Sequence, residues 1–337
     1  MIQIGGRLTA FLELAQLFKR IGLEFLQVAV HTAQMLQGHP AITRIWKKRD
    51  YTTMKPLLSL LFAASFWGVV WYPLRLLQEA GLSGSWQMLV AYGCAFLVLA
   101  LVRWPGMAGM HGQGGKLILM SLAASWTNVG FVLAMLEGSV ARALILFYLS
   151  PLWTVLLGHF FLQERLRPAT MITLPMGLAG AVLMLWQPQA GMGSFSWADL
   201  WALTAGLAFA VANVITRALH HLGTRQKTLI SWLGVIMVAG VIVLFSGEAL
   251  PQVAPAAWMG NMALGAFGFM LATLAVIYGV SRMPVQRSAV ILLVEILIGA
   301  ISAWWLAGES LSLREWLGGG LIILAGLIAI TQEEVHD

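Results

Sequence analysis

The chain has 337 residues, of which 59% are hydrophobic and only 10% charged, with a mean hydropathy of +0.82 and a formal net charge of +6. A soluble domain carries roughly 25% charged residues, so this chain could not cover a globule with polar surface, and lipid is its expected solvent. The basic excess sits in short gaps between apolar runs, which argues for membrane topology and against a nucleic-acid partner.

Residues 1–53 differ in character from the rest. Arg20, Glu24, Gln27, His31 and Gln34 fall on one helical face, with Leu17, Phe18, Ile21, Phe25 and Leu26 largely opposite, and the basic run Lys47-Lys48-Arg49 follows. The segment reads either as an amphipathic helix lying on the membrane or as a stretch ahead of a natural start at Met54. It does not read as a cleavable signal, because no small-residue cleavage site follows the first apolar run.

Ten apolar segments come next: Leu57–Leu77, Trp86–Val102, Leu117–Leu136, Ala141–Leu162, Thr170–Trp186, Ala198–His220, Thr228–Phe245, Ala257–Val280, Ser288–Leu306 and Trp316–Thr331. Each is near the roughly 20 residues a helix needs to cross a bilayer. Turn and charge signals such as Gly81 to Gly84, Gln187-Pro188 and Met283-Pro284 separate them.

Lys and Arg orient these spans. With the N-terminus inside, Lys55, Arg103, Lys116, Arg165, Arg167, Arg217, Arg225, Lys227, Arg282 and Arg287 are cytoplasmic, and Arg75, Arg142 and Arg314 lie outside. Both termini are therefore expected in the cytoplasm. Cys94, the one cysteine, reads as a small apolar residue.

The chain also echoes itself. At an offset of 145 residues, Val140, Arg142, Leu152, Glu164 and Leu166 recur as Val285, Arg287, Leu297, Glu309 and Leu311. A fainter register at 142 matches Leu61, Ala63, Val69, Arg75 and Leu77 with Leu203, Ala205, Val211, Arg217 and Leu219. The expected fold is an all-α integral membrane protein of ten transmembrane helices in two repeats, over 54–186 and 198–332, joined by a linker at 187–197 and ending in a short tail at 333–337. Five helices per repeat is an odd number, so the second repeat enters the membrane inverted. That geometry lets a central site open to alternate sides.

Phe147 to Leu152, then Leu162-Gln163-Glu164-Arg165-Leu166 and Leu178-Ala179-Gly180, together with the opening Phe66-Trp67-Gly68, resemble the signature of the EamA family of the drug/metabolite transporter superfamily. The second copy, Glu295-Ile296-Leu297 to Gly308-Glu309-Ser310-Leu311 and Leu324-Ala325-Gly326, is similar. One departure is Ile296, where a proline commonly follows the Glu, so a distortion of that helix is left open. The resemblance covers about Met54 to Gln332. It implies ten helices in two repeats and export of amino acids, related metabolites or drugs across a plasma membrane, the inner membrane of the cell. It does not name the substrate.

Glu295 is the candidate that stands out. It lies mid-span among Val290 to Val294 and Ile296 to Ile298, where an ionised carboxylate costs on the order of 3 kcal/mol. It should face the interior, as the partner of a substrate amine, as a proton carrier, or as a structural tie between helices. Ser150 holds the equivalent place in the first repeat, and Pro151 after it frees a backbone carbonyl that could line a site or merely mark a kink.

Asn128 sits mid-helix and either grips substrate or bonds across helices. Trp67, Trp126 and Tyr148 are aromatics near mid-depth that could wall a flat or cationic solute or simply pack. Glu164 and Glu309, near helix ends, read as caps or as partners of a neighbouring Arg.

No hydrolase elbow, metal cluster or ATP-binding loop is present in the sequence, so no cofactor, no metal and no enzymatic activity are expected. The expected partners are a small-molecule substrate, the lipid bilayer and, as a candidate coupling ion, the proton. Two other classes stay open: a membrane-embedded enzyme acting on lipid, and a non-transporting sensor or assembly subunit.

Overall fold

The computed structural model describes residues 51–331 except 103, 105, 107, 138–139, 187–195 and 308–311. The proposed amphipathic stretch, the linker and the tail therefore fall mostly or wholly outside the described residues. Every described element is helical. In chain order they are α1 (Tyr51–Val69), α2 (Trp71–Glu79), α3 (Gly84–Val102), α4 (Gly114–Glu137), α5 (Val140–Phe147), α6 (Ser150–Leu162), α7 (Pro168–Leu185), α8 (Trp197–Ala218) and α9 (Thr224–Phe245). Then follow α10 (Pro255–Ala263), a π-helical segment (Leu264–Phe269), α11 (Met270–Arg282), α12 (Val285–Leu292), α13 (Val294–Ala307) and α14 (Leu313–Thr331).

Taken as spans, α1–α2, α3, α4, α5–α6, α7, α8, α9, α10–α11 and α12–α13 make nine stretches among the described residues long and apolar enough to cross a membrane. The protein is thus a multi-pass membrane protein. The apolar helix α14 follows and lies along α7. Outward-facing side chains such as Phe160, Phe161, Met171, Leu244 and Phe245 are apolar and exposed, as lipid contact requires.

Four spans are interrupted. The first breaks at Val70, three residues before Pro73, whose missing N–H frees the carbonyl of Val69. The eighth widens into the π-helical segment, where Gly265 lets α3 approach at Ala91 and Gly268 admits the Phe66 ring. The fourth breaks at Tyr148-Leu149 and the ninth at Leu293. The eight-residue helices before these last two breaks, α5 and α12, start and stop at an offset of 145, the same as that of the sequence repeat.

The packing partners form a pattern. The third span lies on the sixth (α4 on α8), and the eighth lies on the first (α11 on α1). The fourth lies on the sixth (α6 on α8), and the ninth on the first (α13 on α1). Second packs on seventh, fourth on ninth (α6 on α12), and α7 on α14. The α7–α14 contact is close because it is made of glycines: a Cβ on Gly180 would stand 2.5 Å from the carbonyl oxygen of Gly318.

The loops gather at two ends. At one, Gln226 at the start of α9 donates to the carbonyls of Gly106 and Ala108 in the α3–α4 loop. The α6–α7 loop lies at this same end, bonded to α8 and α12. At the other, Glu248 after α9 accepts from Ser83 and Ser85, ahead of and within the first turn of α3. Alternate loops thus share an end, as antiparallel spans demand.

Candidate functional site

The break in the ninth span places Glu295 in the first turn of α13, half-buried. No proline causes this break. It is built from short-range bonds, Leu293 N–H to Val290 O at 3.2 Å and Ile296 N–H to Leu293 O at 3.1 Å, which tighten the backbone to a 3₁₀-like turn. The fourth span breaks in a similar way, with Leu149 N–H to Leu146 O at 3.3 Å and Leu152 N–H to Leu149 O at 2.9 Å. The distortion left open by Ile296 is therefore present without proline.

The two breaks meet through side chains. The Tyr148 hydroxyl donates to Glu295 Oε1 at 3.0 Å. Among the described residues no basic side chain pairs with that carboxyl. Tyr148 is fixed in turn by an edge contact with Phe147, whose ring packs on Phe131 and Phe209. Ser150 and Pro151 begin α6 and are buried. The Ser150 carbonyl accepts from the Thr154 hydroxyl at 2.8 Å. The carbonyl that Pro151 frees is that of Phe147, four residues back. It abuts α8 at Gly206, where a Cβ would stand 2.6 Å from it, so this oxygen meets a helix contact.

Behind Glu295 lies α1. A Cβ on Gly68 would stand 2.8 Å from the Glu295 carbonyl oxygen and 2.9 Å from the Gly299 nitrogen. Only glycine fits that approach. A hydroxyl clasp holds it: Ser302 Oγ lies 3.0 Å from Gly68 O and 2.8 Å from Gly299 O, and accepts from Trp71 Nε1 at 2.9 Å. The motif Phe66-Trp67-Gly68 is thereby the element that seats the Glu295 helix.

Trp67, one residue before that contact, opens a second patch. Its ring lies 5.3 Å from Phe269 in the π-helical segment and 5.5 Å from Phe66. Phe269 lies 5.0 Å from Tyr92. The Tyr92 hydroxyl donates to Asn128 Oδ1 at 3.2 Å, and Asn128 Nδ2 donates to the Ala124 carbonyl at 2.8 Å. The result is an aromatic wall with a polar tip, and π-helical turns of this kind are frequent at functional sites.

Of the expected site residues, Glu295 and Tyr148 are in direct contact, and Ser150 and Pro151 follow Tyr148 on the chain. Trp67 and Asn128 are joined through Phe269 and Tyr92. Trp126 stands apart on the seam of α4 and α8, edge-on to Trp201 at 5.6 Å. The sequence reading missed Gly68 as a contact residue, the Trp71–Ser302 clasp, Phe269 and Tyr92. The glycine of Phe-Trp-Gly was the one signal that could have pointed to the close approach. Among the described residues no group of three or more His, Cys, Asp or Glu side chains could hold a metal ion.

The model of the EamA-like transporter family matches this chain twice, over residues 54–186 and 196–331. A riboflavin transporter of Rhizobium johnstonii is 26% identical over 271 residues, covering 78% of this chain and 85% of that protein. An uncharacterized inner membrane transporter, YicL, of Salmonella typhimurium is 26% identical over 304 residues, covering 83% and 96%. An uncharacterized transporter of Archaeoglobus fulgidus is 25% identical over 205 residues, covering 60% and 72%. A solved crystal structure superposes with a TM-score of 0.67 at 20% identity, covering 84% of this chain and 98% of the other, and shows that the fold is shared.

Proposed function

The chain belongs to the EamA-like transporter family, and from this we propose that it exports small metabolites, such as amino acids or drug-like solutes, by alternating access. Glu295 and Tyr148 form the polar heart of the site, with Ser150, Pro151 and the wall of Trp67, Phe269, Tyr92 and Asn128 around it. Trp126 is the outlying member. The observation that carries this reading is the Tyr148–Glu295 hydrogen bond, because it joins the broken helix of one half to the broken helix of the other.

The packing pattern supports two repeats. Exchanging the first five spans for the last five maps third-on-sixth to eighth-on-first and fourth-on-sixth to ninth-on-first. Second with seventh and fourth with ninth map onto themselves. So does fifth with tenth once α14 is counted as the tenth span. Five spans per half make the repeats inverted, and a site between inverted halves opens to either side when they rock.

The basic bias of the loops supports cytoplasmic termini, and relatives named as inner membrane transporters support that membrane. The relative named for riboflavin, together with the aromatic wall, favours a flat ring system among the candidate solutes. An ionisable group inside a membrane span is commonly a coupling site, so protons are the candidate coupling ion.

The test is flux into liposomes holding purified protein. A panel of amino acids, flavins and cationic aromatic solutes would be offered with and without a pH gradient, against Glu295→Gln and empty liposomes. Saturable flux that disappears in Glu295→Gln supports the reading. Wild-type flux that Glu295→Gln leaves unchanged in rate and pH dependence removes Glu295 from the mechanism.

A further inference from the structure

At the end of the molecule that carries the α6–α7 loop, an acid from the first half is held by the second half. Glu164 Oε1 pairs with Arg217 Nε at 3.2 Å, at the C-terminal end of α8. Its other oxygen, Oε2, accepts the backbone N–H of Val285 at 3.1 Å, the first residue of α12. The pair is largely withdrawn from solvent, with side-chain exposures of 17% for Glu164 and 29% for Arg217. Gln286 adds a tie to the Arg165 carbonyl at 3.1 Å.

The network continues inward. Arg217 Nη1 donates to the carbonyl of Ser281, at the end of α11, at 3.0 Å. The Ser281 hydroxyl accepts from Lys227 Nζ at 2.6 Å. Lys227 is fully buried, and its other bonds go to the carbonyls of Thr216 at 3.2 Å and Leu219 at 3.0 Å. Arg217 and Arg282 both lie close enough to repel its charge. Three cations are therefore crowded at this end, and Glu164 pairs with one of them, Arg217.

We propose that Glu164 and Arg217 form a latch that closes this end of the transport path and opens once in each cycle. The proposal rests on the alternating-access reading above. Three observations separate a latch from ordinary helix glue.

First, the pair crosses between the halves, so any rocking of one half on the other must stretch it. Second, it grips the first amide of α12, and α12 runs straight into the Leu293 break and Glu295. An eight-residue helix is only about 12 Å long, so releasing its start moves the element that carries the site. Gly158 of α6 lies so close to Val285 that a Cβ there would clash with its side chain, so the same residue whose amide Glu164 grips is also packed tightly on the first half.

Third, the repeat gives Arg217 a counterpart. In the register that matches the first and sixth spans that residue is Arg75. Arg75 pairs with Glu79 one turn along its own helix, both side chains 62% exposed. Among the described residues, then, one of the two equivalent arginines bridges the halves while the other pairs within α2; Glu309, the repeat's counterpart of Glu164, lies outside the described residues.

The experiment reads conformation directly. In a Cys94→Ser background, Ser288→Cys on α12 provides a thiol at a buried position. Its labelling by a soluble maleimide is timed with the latch intact, in Glu164→Gln and in Arg217→Gln. We expect labelling to quicken on the order of tenfold in either variant, and the charge swap Glu164→Arg with Arg217→Glu to slow it again. Unchanged labelling in both single variants, with monodisperse protein, overturns the proposal.

A second arm leaves Glu164 and Arg217 themselves intact. Arg165→Cys and Gln286→Cys are bridged by a short cleavable dithiol linker. Flux should stop when the link is made and return when it is cut, and full flux through linked protein overturns the latch. If wild-type protein moves no solute of the panel, the export reading fails, and the labelling arm still decides whether the pair closes this end.

Discussion

The fourth and ninth spans are the same device built with different chemistry. Each begins with an eight-residue helix, breaks, and resumes, and the breaks fall at matching places in the repeat. In the fourth span, Pro151 sits in the first turn after the break and cannot donate to Phe147. In the ninth, Ile296 occupies that turn and does donate, to Leu293 at 3.1 Å. A break that survives the loss of its proline must be held from outside. The holders are glycines of the neighbouring spans: Gly206 against Phe147 in one half and Gly68 against Glu295 in the other. Proline marks such a place in the sequence, whereas the neighbouring backbone maintains it.

The two breaks also divide the polar groups between them. The ninth span supplies the acid and the fourth supplies the hydroxyl that bonds to it. The largest expected effect therefore comes from Glu295. Glu295→Gln keeps the shape and the capacity to accept from Tyr148 but removes the titratable proton. Flux in liposomes should fall to the level of empty vesicles, while yield and size-exclusion profile stay as in the wild type. Retained flux with an unaltered pH profile would falsify a role for the carboxyl in coupling.

Next in size is Gly68→Val. Its Cβ would stand 2.8 Å from the Glu295 carbonyl and 2.9 Å from the Ile298 side chain, so α1 and α13 must part. Overpacking of this kind costs about 1–3 kcal/mol. Both the melting temperature and the flux should drop, and Ser302→Ala, which cuts only the clasp, should lower the melting temperature less. If Gly68→Val matches wild type in both measurements, the ninth break is not held by α1.

Tyr148→Phe isolates the bond between the two breaks. Losing one hydrogen bond costs about 0.5–1.5 kcal/mol, or roughly two- to tenfold in an equilibrium. The ring stays seated on Phe147, so the loss of stability should not exceed that range. The larger effect should fall on flux and on its pH dependence, because the Tyr148 hydroxyl is the one side-chain partner of Glu295 among the described residues. A change in melting temperature with no change in flux would make the bond structural.

These residues were unequally visible in the sequence. Glu295 stood out because an acid inside an apolar run has no cheap explanation, and Ser150 followed from the repeat. Spans were legible for the same reason, since length and hydropathy are local properties. The break at Leu293 and the widened turn at Leu264–Phe269 are not, because they lie where another helix presses in; the break at Val70 follows from Pro73, which is legible in the sequence.

Tyr148 is legible as an aromatic at mid-depth, but its partner lies 147 positions away and no periodicity links them. In the sequence Lys227 reads as a loop base that orients the chain. It is fully buried, held by acceptors from the end of α8, the turn that follows it and α11. Distant packing decides such cases, and a single sequence carries no record of it.

The smallest expected effect is the most telling for the comparison. Pro151 lies at the N-terminal turn of α6, where an amide would lack a helical partner in any case. In Pro151→Ala the one carbonyl in reach by sequence spacing, that of Phe147, already abuts Gly206. The ninth span shows that a break of this shape persists with a donating residue in that turn. Pro151→Ala should therefore change flux by less than about twofold, whereas Gly206→Ala should cost about 1–3 kcal/mol of stability and much of the flux. The opposite ranking, a crippled Pro151→Ala beside a tolerant Gly206→Ala, would mean that the fourth break is made by its proline and the ninth by its neighbours, and the two halves would then share a shape without sharing its cause.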